Sequence, residues 1–442
     1  MKKPLAAPRV EELLARTDAE RVVAILTHPE VKASVEGRYR HWDSLRHKQP
    51  PVGLSSEEWW MGVKLARHQM LQSIALKDVH DRPFGLAMVG PLLAGLRHVD
   101  QHASGRITVS EQVTNPDTRR SYLVNSLIEE AITSSQLEGA TTSRRVAKEM
   151  LRSGRRPKNR SEQMIVNNYR AMNYVRDHRD DDLTTAMVLE LHRIVTEGNF
   201  DDPSAAGRLQ EPDEERIGVY DDEGELLHAP PPAEELPERL NDMCAFANGA
   251  DEDDEFLHPV LRSIILHFWL GHDHPFDDGN GRTARALFYW SMLRRGYGLT
   301  EYLTISAILK KAPAKYARSF LYTEQDGNDL TYFALHQLEV VRRAIDGLNA
   351  YLTRKMEEVR STERLLRDTD LNHRQVALLA HALRTPGSTY TFRGHAASHA
   401  VVYQSARTDL LDLEERGLLV KRKSGRAFTF FAPEDLGDQL RH

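Results

Sequence analysis

The sequence predicts a mainly α-helical protein built from more than one structural unit. Its 442 residues correspond to about three units at roughly 150 residues per domain. Hydrophobic residues make up 40% of the chain and charged residues 28%, which is enough apolar material for a sizeable core. Apolar residues recur at helical spacing along most of the chain, whereas the β-compatible runs are short. We therefore expect helices throughout and only small sheets.

Charge, cysteine content and hydropathy exclude several classes of protein. The 59 Lys and Arg against 65 Asp and Glu give a net charge of −6, so the chain as a whole does not have the charge of a nucleic-acid binder, although one domain still could. Cys244 is the one cysteine, which excludes an intramolecular disulfide and a Cys-based zinc finger. No apolar run approaches the about 18 residues of a membrane span, and the N-terminal lysines precede no secretory signal. We expect a cytoplasmic protein without membrane contact.

Residues 1–120 are predicted to form an N-terminal helical extension. Helices are expected at residues 10–26, 56–76 and 87–99, and the second of these begins with acidic residues that favour a helix N-terminus. Residues 101–120 are polar and rich in turn formers, so we expect them to connect two units.

Residues 121–330 are predicted to form the central domain. The run 217–228 is the clearest hairpin signal, because two short β-compatible runs flank an acidic turn that contains Gly224. Helices are expected at residues 121–137, 161–176, 184–196, 234–246, 259–270 and 282–295.

The chain is then expected to continue through connecting helices at residues 331–370 into a separate unit at 371–442. The order in that unit is helix, short strand, two helices and a two-stranded wing, and it resembles a winged helix-turn-helix domain. The unit carries 10 Lys and Arg against 7 Asp and Glu, a net charge of +3. Basic residues on the wing suit DNA phosphates, but such domains also dock proteins or form homodimers, and these alternatives stay open.

The loop at residues 274–285, HPFDDGNGRTAR, carries the strongest functional signal. Gly279 and Gly281 remove side-chain bulk, and Asn280 tolerates left-handed backbone angles. Such a turn can direct successive N–H groups into one hollow that binds an anion. The helix that begins near Gly281 adds its positive end to that hollow.

Charged side chains of the same loop complete the pattern. Arg282 and Arg285 are three residues apart on one helix face, so both can reach one polyphosphate. Asp278 offers the oxygen ligand that a hard divalent cation requires. His274 can accept a proton near pH 7, and an unperturbed imidazole needs no strong pKa shift to do so. Together these groups fit a nucleotide-dependent transfer and match neither a Walker P-loop nor a Rossmann fingerprint.

This loop resembles the signature of the Fic family, HxFx(D/E)GNGRxxR, at every fixed position. The resemblance extends over roughly residues 121–330, and the flanking parts are similar to longer bacterial members. It implies a Fic helical core with a small β-hairpin flap. It also implies a protein adenylyltransferase that moves AMP from ATP to a Tyr, Thr or Ser hydroxyl of a target protein, and possibly of the enzyme itself.

The resemblance also implies a role for each residue of the loop. His274 would deprotonate the target hydroxyl, and Asp278 would hold Mg²⁺ between the α- and β-phosphates. Arg285 would hold the γ-phosphate of ATP. The residues expected to contact the nucleotide are Gly279, Asn280, Gly281, Arg282, Arg285 and Tyr316, the last facing the adenine.

The hairpin at residues 217–228 lies where the family has its flap, an edge onto which a loop of the target is laid as an extra strand. The residues expected to dock the target are Ile217, Gly218, Val219 and Tyr220. One departure from the family pattern precedes the flap. Many members have Gly-x-aromatic-Arg there, but this chain has Gly-Arg-Leu-Gln at residues 207–210, so the arginine is absent or displaced.

The run SSQLEG at residues 134–139 matches the Fic inhibitory pattern (S/T)xxxE(G/N) and places an inhibitory helix at residues 121–139. The carboxylate of Glu138 could form a bidentate pair with Arg285. That pair would put negative charge where the γ-phosphate must lie, and ATP would then bind with its α-phosphate misaligned.

Three other functions remain open at this point. The chain could be a DNA-binding transcriptional regulator that uses the Fic loop as a nucleotide sensor. It could instead remove AMP from a modified protein, with Glu138 acting on water. A metal-dependent hydrolase using His272 and His274 is the third, although no third ligand is evident. The complete set of His274, Asp278 and Arg285 favours the transferase over the sensor, since a sensor needs no general base.

Overall fold

A computed structural model describes residues 3–104, 116–221, 223–249, 256–367, 369–384, 387–399, 401–424 and 427–440. The chain divides into two compact units, and the boundary falls between Leu348 and Asn349. The fold is mainly helical, as the sequence predicts, with three small sheets among the described residues. The four predicted segments, with their boundaries near residues 120, 330 and 370, stay predictions. Within the described ranges, no helix combines the length and the apolar character needed to span a bilayer.

The N-terminal part of the first unit contains five helices and one β-hairpin. A capping box begins the fourth helix, because the Ser55 side chain accepts from the backbone N–H of Glu58 and the Glu58 carboxylate accepts from that of Ser55. Trp59 and Trp60 are buried on this helix. The elements are α1 (Val10–Ala15), α2 (Ala19–Leu26), α3 (Trp42–Leu45), α4 (Ser56–His68), β1 (Leu71–Lys77), β2 (Pro83–Ala87) and α5 (Gly90–Ala103).

The helix predictions for this part are wrong in three places. The predicted helix 10–26 is two helices, because Asp18 caps the second through the backbone N–H of Arg21. The predicted helix 56–76 ends at His68, and strand β1 follows it. The predicted helix 87–99 begins only at Gly90. The last two errors have one cause, since β1 and β2 pair with each other and long-range pairing overrides local helix preference.

The central part of the first unit packs its other helices around α11 and α12, which are buried on nearly every side. α11 is predominantly apolar, whereas α12 also buries polar residues of its first turns, including Arg282 and Arg285. The helix predicted over 121–137 begins earlier, at Pro116, and residues 105–115 of the predicted connector lie outside the described residues. The helices are α6 (Pro116–Leu137), α7 (Arg144–Ser153), α8 (Arg160–Asp177), α9 (Thr185–Thr196), α10 (Leu236–Asn248), α11 (Pro259–Asp273), α12 (Asn280–Arg294), α13 (Ile305–Lys311) and α14 (Pro313–Gln325).

The predicted hairpin is present as β3 (Val219–Tyr220) and β4 (Leu226–His228), which pair antiparallel with Val219 opposite His228. Asp222 of its turn lies outside the described residues. The long helix α15 (Thr331–Arg367) is continuous where connecting helices are predicted, and the boundary between the two units falls within it.

The described residues of the second unit form four more helices and a three-stranded sheet of order β5-β7-β6. Leu379, Leu410, Leu413 and Phe430 are buried in its core. The element order agrees with the order predicted from the sequence, whereas its assignment as a winged helix stays a prediction. The elements are α16 (His373–Arg384), β5 (Thr389–Tyr390), α17 (Phe392–Ser398), α18 (Tyr403–Glu415), β6 (Val420–Ser424), β7 (Ala427–Phe431) and α19 (Leu436–Gln439).

Candidate active site

The loop between α11 and α12 is held in one shape by its own side chains. The Asn280 side chain binds both backbone groups of Phe276, donating to its carbonyl at 2.6 Å and accepting from its N–H at 3.0 Å. Gly279 has φ of 88°, and a Cβ there would lie 2.7 Å from Cγ2 of Thr196. Only glycine fits this position. The Asn280 side chain therefore shapes the loop, and only its backbone remains for the predicted contact with an anion.

His192 on α9 supports the loop from below, and sequence reasoning missed it. Its Nδ1 accepts from the Gly207 N–H at 3.0 Å, so Nε2 carries the proton and donates to the Asp278 carbonyl at 2.9 Å. The ring stacks on Phe276 with centroids 3.7 Å apart. Burial lowers the pKa of His192 to about 4, which keeps the ring neutral at pH 7. The feature of the sequence that could have indicated this role is a histidine on the apolar face of the helix predicted at residues 184–196.

His274 ends α11 in a left-handed conformation, with φ of 44°. Its Nδ1 lies 3.0 Å from the carbonyl oxygen of Ile217, which can only accept. The ring proton is therefore on Nδ1, and Nε2 has its lone pair available. The expectation of an unperturbed imidazole is wrong, because burial, assisted by nearby His228, lowers the pKa of His274 to about 4. The ring is thus in its base form at neutral pH.

Arg282 is turned into the protein. Its guanidinium is fully buried, with Nη1 donating to the Val195 carbonyl at 2.9 Å and Nη2 2.9 Å from Oδ1 of Asp278. The structure therefore joins Arg282 to Asp278 and to the end of α9. Its predicted contact with phosphate stays a prediction.

Asp278 keeps 37% of its side chain exposed. Its Oδ1 accepts from the Gly279 N–H at 2.6 Å, and Oδ2 lies 3.7 Å from Arg160. Burial disfavours the charged carboxylate, but the neighbouring Arg282 outweighs burial and lowers the pKa of Asp278 below its ordinary value. An ionised, accessible carboxylate fits the oxygen ligand that Mg²⁺ prefers.

Glu138 and Arg285 form an ion pair as the sequence predicts, with Oε1 2.8 Å from Nη2. The predicted bidentate geometry is wrong, because the Nε of Arg285 donates to Ser134 instead. Ser134 fixes the arginine further, since its Oγ accepts from Nε at 2.9 Å and its carbonyl accepts from Nη2 at 3.2 Å. The Arg285 side chain is 2% exposed and that of Glu138 is 30% exposed. The structure thus brings the end of α6 onto the first turn of α12.

The Glu138 carboxylate occupies the space above Gly281. A Cβ at Gly281 would clash with Oε1 of Glu138, so this carboxylate lies directly over the backbone at the start of α12. The positive end of a helix attracts an anion, and in this structure that anion is Glu138. The contact of Gly281 with phosphate stays a prediction. Within the described ranges, no group forms a hydrogen bond with the buried Nη1 of Arg285, which remains for a further acceptor.

Tyr316 lies on α14 near Arg285 and interacts with its charge. Its hydroxyl is 2.8 Å from Nε2 of His267, and its ring packs edge-on against Phe320. Burial raises the pKa of Tyr316 to about 12, so the phenol stays protonated. A contact with adenine stays a prediction for this residue.

The flap presents apolar side chains, since Ile217, Val219 and Tyr220 are 42%, 38% and 58% exposed. Arg216 just before it was also missed by sequence reasoning. Its Nη2 donates to the carbonyls of Asp273 and His274 at 2.9 and 3.2 Å. Arg216 therefore joins the base of the flap to the backbone of the loop. In sequence it follows residues 207–210, where the family pattern has an arginine that this chain lacks.

Family comparison agrees with this geometry. Residues 182–292 match the family described as Fic/DOC. The protein adenylyltransferase Fic of Nematostella vectensis is 33% identical over 131 residues, which are 29% of this chain and 27% of that protein. The protein adenylyltransferase fic-1 of Caenorhabditis elegans is 38% identical over 117 residues, which are 26% of this chain and 20% of that protein. The chain thus spans about a quarter of the length of these curated relatives.

A solved structure extends the likeness beyond the central domain. The crystal structure of a Fic family protein from Desulfovibrio desulfuricans G20 superposes with a TM-score of 0.55 at 20% identity. The superposition covers 79% of this chain and 97% of that one. At this identity the likeness shows a shared fold.

Proposed function

We propose that this chain, which carries a Fic/DOC domain at residues 182–292, is an autoinhibited protein adenylyltransferase that transfers AMP from ATP to a hydroxyl side chain of a protein. One observation carries the proposal. A carboxylate bound to Arg285 and lying over the start of α12 adjoins the loop whose histidine is neutral and has a free lone pair, so an anion site and a base lie side by side. The relatives named protein adenylyltransferase support the same reaction.

The chemistry assigns one step to each side chain. Nε2 of His274 takes the proton of the target hydroxyl, whose oxygen attacks the α-phosphorus of ATP. A bond forms between that oxygen and the α-phosphorus, and the bond to the β-phosphate oxygen breaks, which releases pyrophosphate. Asp278 would hold Mg²⁺, which supplies neutralisation of the phosphate charge. Arg285 and the N–H groups near Gly281 would bind the terminal phosphates.

The flap would position the target. Its exposed edge at Ile217, Gly218, Val219 and Tyr220 suits a strand of the target, which it would hold by main-chain hydrogen bonds. Since Nδ1 of His274 donates to the carbonyl of Ile217, the flap also fixes the ring of the base. This coupling would keep the accepting hydroxyl and the base in line.

Glu138 would act as the brake. Its carboxylate holds Arg285 and covers Gly281, so both groups that would bind the γ-phosphate are engaged in this structure. ATP would have to displace the carboxylate or bind in a misaligned pose. The chain would then be inactive until α6 moves or the pair opens.

The proposal is tested by incubating the full chain with α-labelled ATP, Mg²⁺ and a cell lysate, together with the Glu138→Gly variant. We expect label on a lysate protein or on the chain itself, and more of it with the variant. The matched control is Glu138→Gly with His274→Ala, which should bind ATP without transferring label. Equal labelling by this control would overturn the assigned chemistry. ATP binding without transfer by Glu138→Gly would favour a nucleotide sensor, and loss of label from a pre-modified target would favour AMP removal.

For the second unit we propose DNA binding as its function, with a protein-docking or homodimer role as the competing outcome. Arg422 and Lys423 are exposed on β6, which supports phosphate contact. Binding of the full chain to duplex DNA should fall steeply as salt rises, and Arg422→Ala should weaken it. Absence of binding at low salt would favour protein docking, and a dimeric mass in solution would favour self-association.

A further inference from the structure

Three side chains that the proposed reaction does not use meet beneath the flap. His228 ends β4, His272 lies in the last turn of α11, and Glu324 lies near the end of α14. The candidate ligand atoms of these three residues all lie within 4.8 Å of one another. Nδ1 of His228 is 3.0 Å from Oε2 of Glu324, and Nδ1 of His272 is 3.5 Å from Oε1. His274, considered above as a partner of His272 for a metal, is not part of this cluster.

His272 is buried without a close polar partner. Its side chain is 4% exposed. Nδ1 faces the Glu324 carboxylate at 3.5 Å, and Nε2 has no hydrogen-bond partner among the residues that the structure describes. Phe84 and Phe268 pack against the ring, with centroids 5.0 and 5.7 Å away, and offer no polar group. A buried polar group without a close partner is destabilising, and an ion between Nδ1 and the carboxylate would give Nδ1 that partner.

The hydrogen bond of His228 fixes which nitrogen faces the cluster. Nε2 lies 2.6 Å from the carbonyl oxygen of His272 and must donate to it. Nδ1 faces the carboxylate of Glu324, and a carboxylate also presents only lone pairs when it is ionised. A cation must therefore lie between them, either a proton on Nδ1 or a metal ion. A histidine that gives its other N–H to a backbone carbonyl is the arrangement typical of metal ligands.

The ligand set selects the class of ion. Two imidazoles and one carboxylate are the protein ligands found at zinc sites that keep one open position. Hard cations such as Mg²⁺ prefer oxygen ligands and would not select two histidines.

We propose that His228, His272 and Glu324 bind a divalent transition ion of the zinc type. The ion would join strand β4 of the flap to α11 two residues before His274, and both to α14. Its role would be to fix the edge that receives the target against the loop that carries the base. This site stands apart from the Mg²⁺ expected at Asp278, and the inference does not depend on the proposed transfer reaction.

The test measures metal binding by the full chain. The protein is stripped with a chelator, dialysed and titrated with Zn²⁺, and with Co²⁺ as a visible-absorbing probe, and bound metal is counted by mass spectrometry. We expect one ion per chain and a rise in melting temperature with Zn²⁺. His272→Ala and the near-isosteric Glu324→Gln should each weaken binding at least about 100-fold, since even the partners of metal ligands contribute 10–100-fold.

Two control variants locate the ion. Asp278→Asn should keep Zn²⁺ binding, because its carboxylate belongs to the other site, and His68→Ala removes an exposed histidine outside the cluster. Circular dichroism of Glu324→Gln shows whether it is folded. Wild-type protein that takes up no Zn²⁺ or Co²⁺ would overturn the proposal. Unchanged binding by a folded Glu324→Gln, or loss of binding with Asp278→Asn alone, would overturn it equally.

Discussion

Two arginines at the start of α12 are each paired with a carboxylate, and the two pairs are built in different ways. Arg282 pairs with Asp278 four residues before it, within the loop itself. Arg285 pairs with Glu138 on a separate part of the chain, at the end of α6. The first pair forms whenever the loop folds. The second forms only when α6 is docked, so it can open while the loop keeps its shape.

The two pairs therefore differ in what their opening would change, although both arginines lie within one turn of α12. The local pair encloses a fully buried guanidinium, and its opening would leave that buried charge without its carboxylate. The remote pair has a carboxylate that is 30% exposed and lies over the backbone of Gly281. We therefore expect the pair of Arg282 to maintain the loop, and the pair of Arg285 to carry the regulation proposed above.

The largest expected effect lies outside both pairs. Neither pair supplies a base, so His274→Ala should reduce AMP transfer by about 10²–10⁴-fold whether the pair of Glu138 and Arg285 is intact or has been removed. The measurement is incorporation of labelled AMP by His274→Ala in the Glu138→Gly background, alongside ATP binding, which should remain. Full transfer by this variant would show that one of the two pairs contributes the proton acceptor, and the comparison would fail.

Opening the remote pair should give the next largest effect. Glu138→Gly should raise transfer roughly tenfold to over a hundredfold, because a charged hydrogen bond to arginine contributes about 1.5–3 kcal/mol. Adding Arg285→Ala should abolish this gain, since the freed arginine is then missing.

A matched pair of charge-neutral variants sharpens this second test. Glu138→Gln should activate, whereas Glu129→Gln on the same helix should not, because Glu129 pairs with Arg144 instead. If Glu138→Gly is no more active than wild type in auto-modification at saturating Mg²⁺, Glu138 is not a brake and AMP removal becomes the better reading.

Weakening the contacts that support the loop of Arg282 and Asp278 should lower the free energy of unfolding. It should leave the inhibition by Glu138 unchanged. His192→Phe keeps the stacking on Phe276 but loses the hydrogen bonds to Asp278 and from Gly207. We expect the free energy of unfolding to fall by about 2 kcal/mol for two hydrogen bonds, measured by urea denaturation. The ratio of activities with and without Glu138→Gly should stay as in wild type, and a large change in that ratio would mean that the two regions are not separate.

The smallest effect should come from Ser134, which supports Arg285 without being part of the ion pair. Ser134→Ala removes the acceptor of Nε, a contribution of about 1 kcal/mol, and should raise transfer by roughly fivefold. Ser135→Ala is the matched control, because the Oγ of Ser135 donates to the Met164 carbonyl instead. Activation by Ser135→Ala of the same size would assign the effect to general loosening of α6.

The sequence was most informative where function lies in a contiguous run. The loop at residues 274–285 could be assigned because every group it needs is within twelve residues. The pairing of Glu138 with Arg285 followed from two separate motifs that the resemblance connects, and it is found. The turn of Arg282 into the protein could not be predicted, because its partner Val195 offers a backbone carbonyl, which no side-chain pattern reveals.

Features made by distant parts of the chain escaped prediction for the same reason. The sequence predicts a helix that extends to residue 76, but the end of that run is strand β1. This strand depends on pairing with β2, which local sequence does not reveal. Both hydrogen bonds of His192 go to backbone groups, of Asp278 and of Gly207, so no side-chain pattern in the sequence indicates its role. In the proposed metal site, Glu324 on a different helix would supply a ligand beside His272 that the sequence pattern does not indicate.

The bare backbone of Gly281 limits how this protein can evolve. Any side chain at that position would push against the Glu138 carboxylate. Under the proposed function, a substitution there would loosen the inhibitory pair and also narrow the space proposed for the γ-phosphate, so we expect it to bring no gain of transfer. We expect inherited activating changes on the facing surface instead, at Ser134 and Glu138. Such changes would adjust the level of inhibition while the sequence of the proposed reactive loop stays the same.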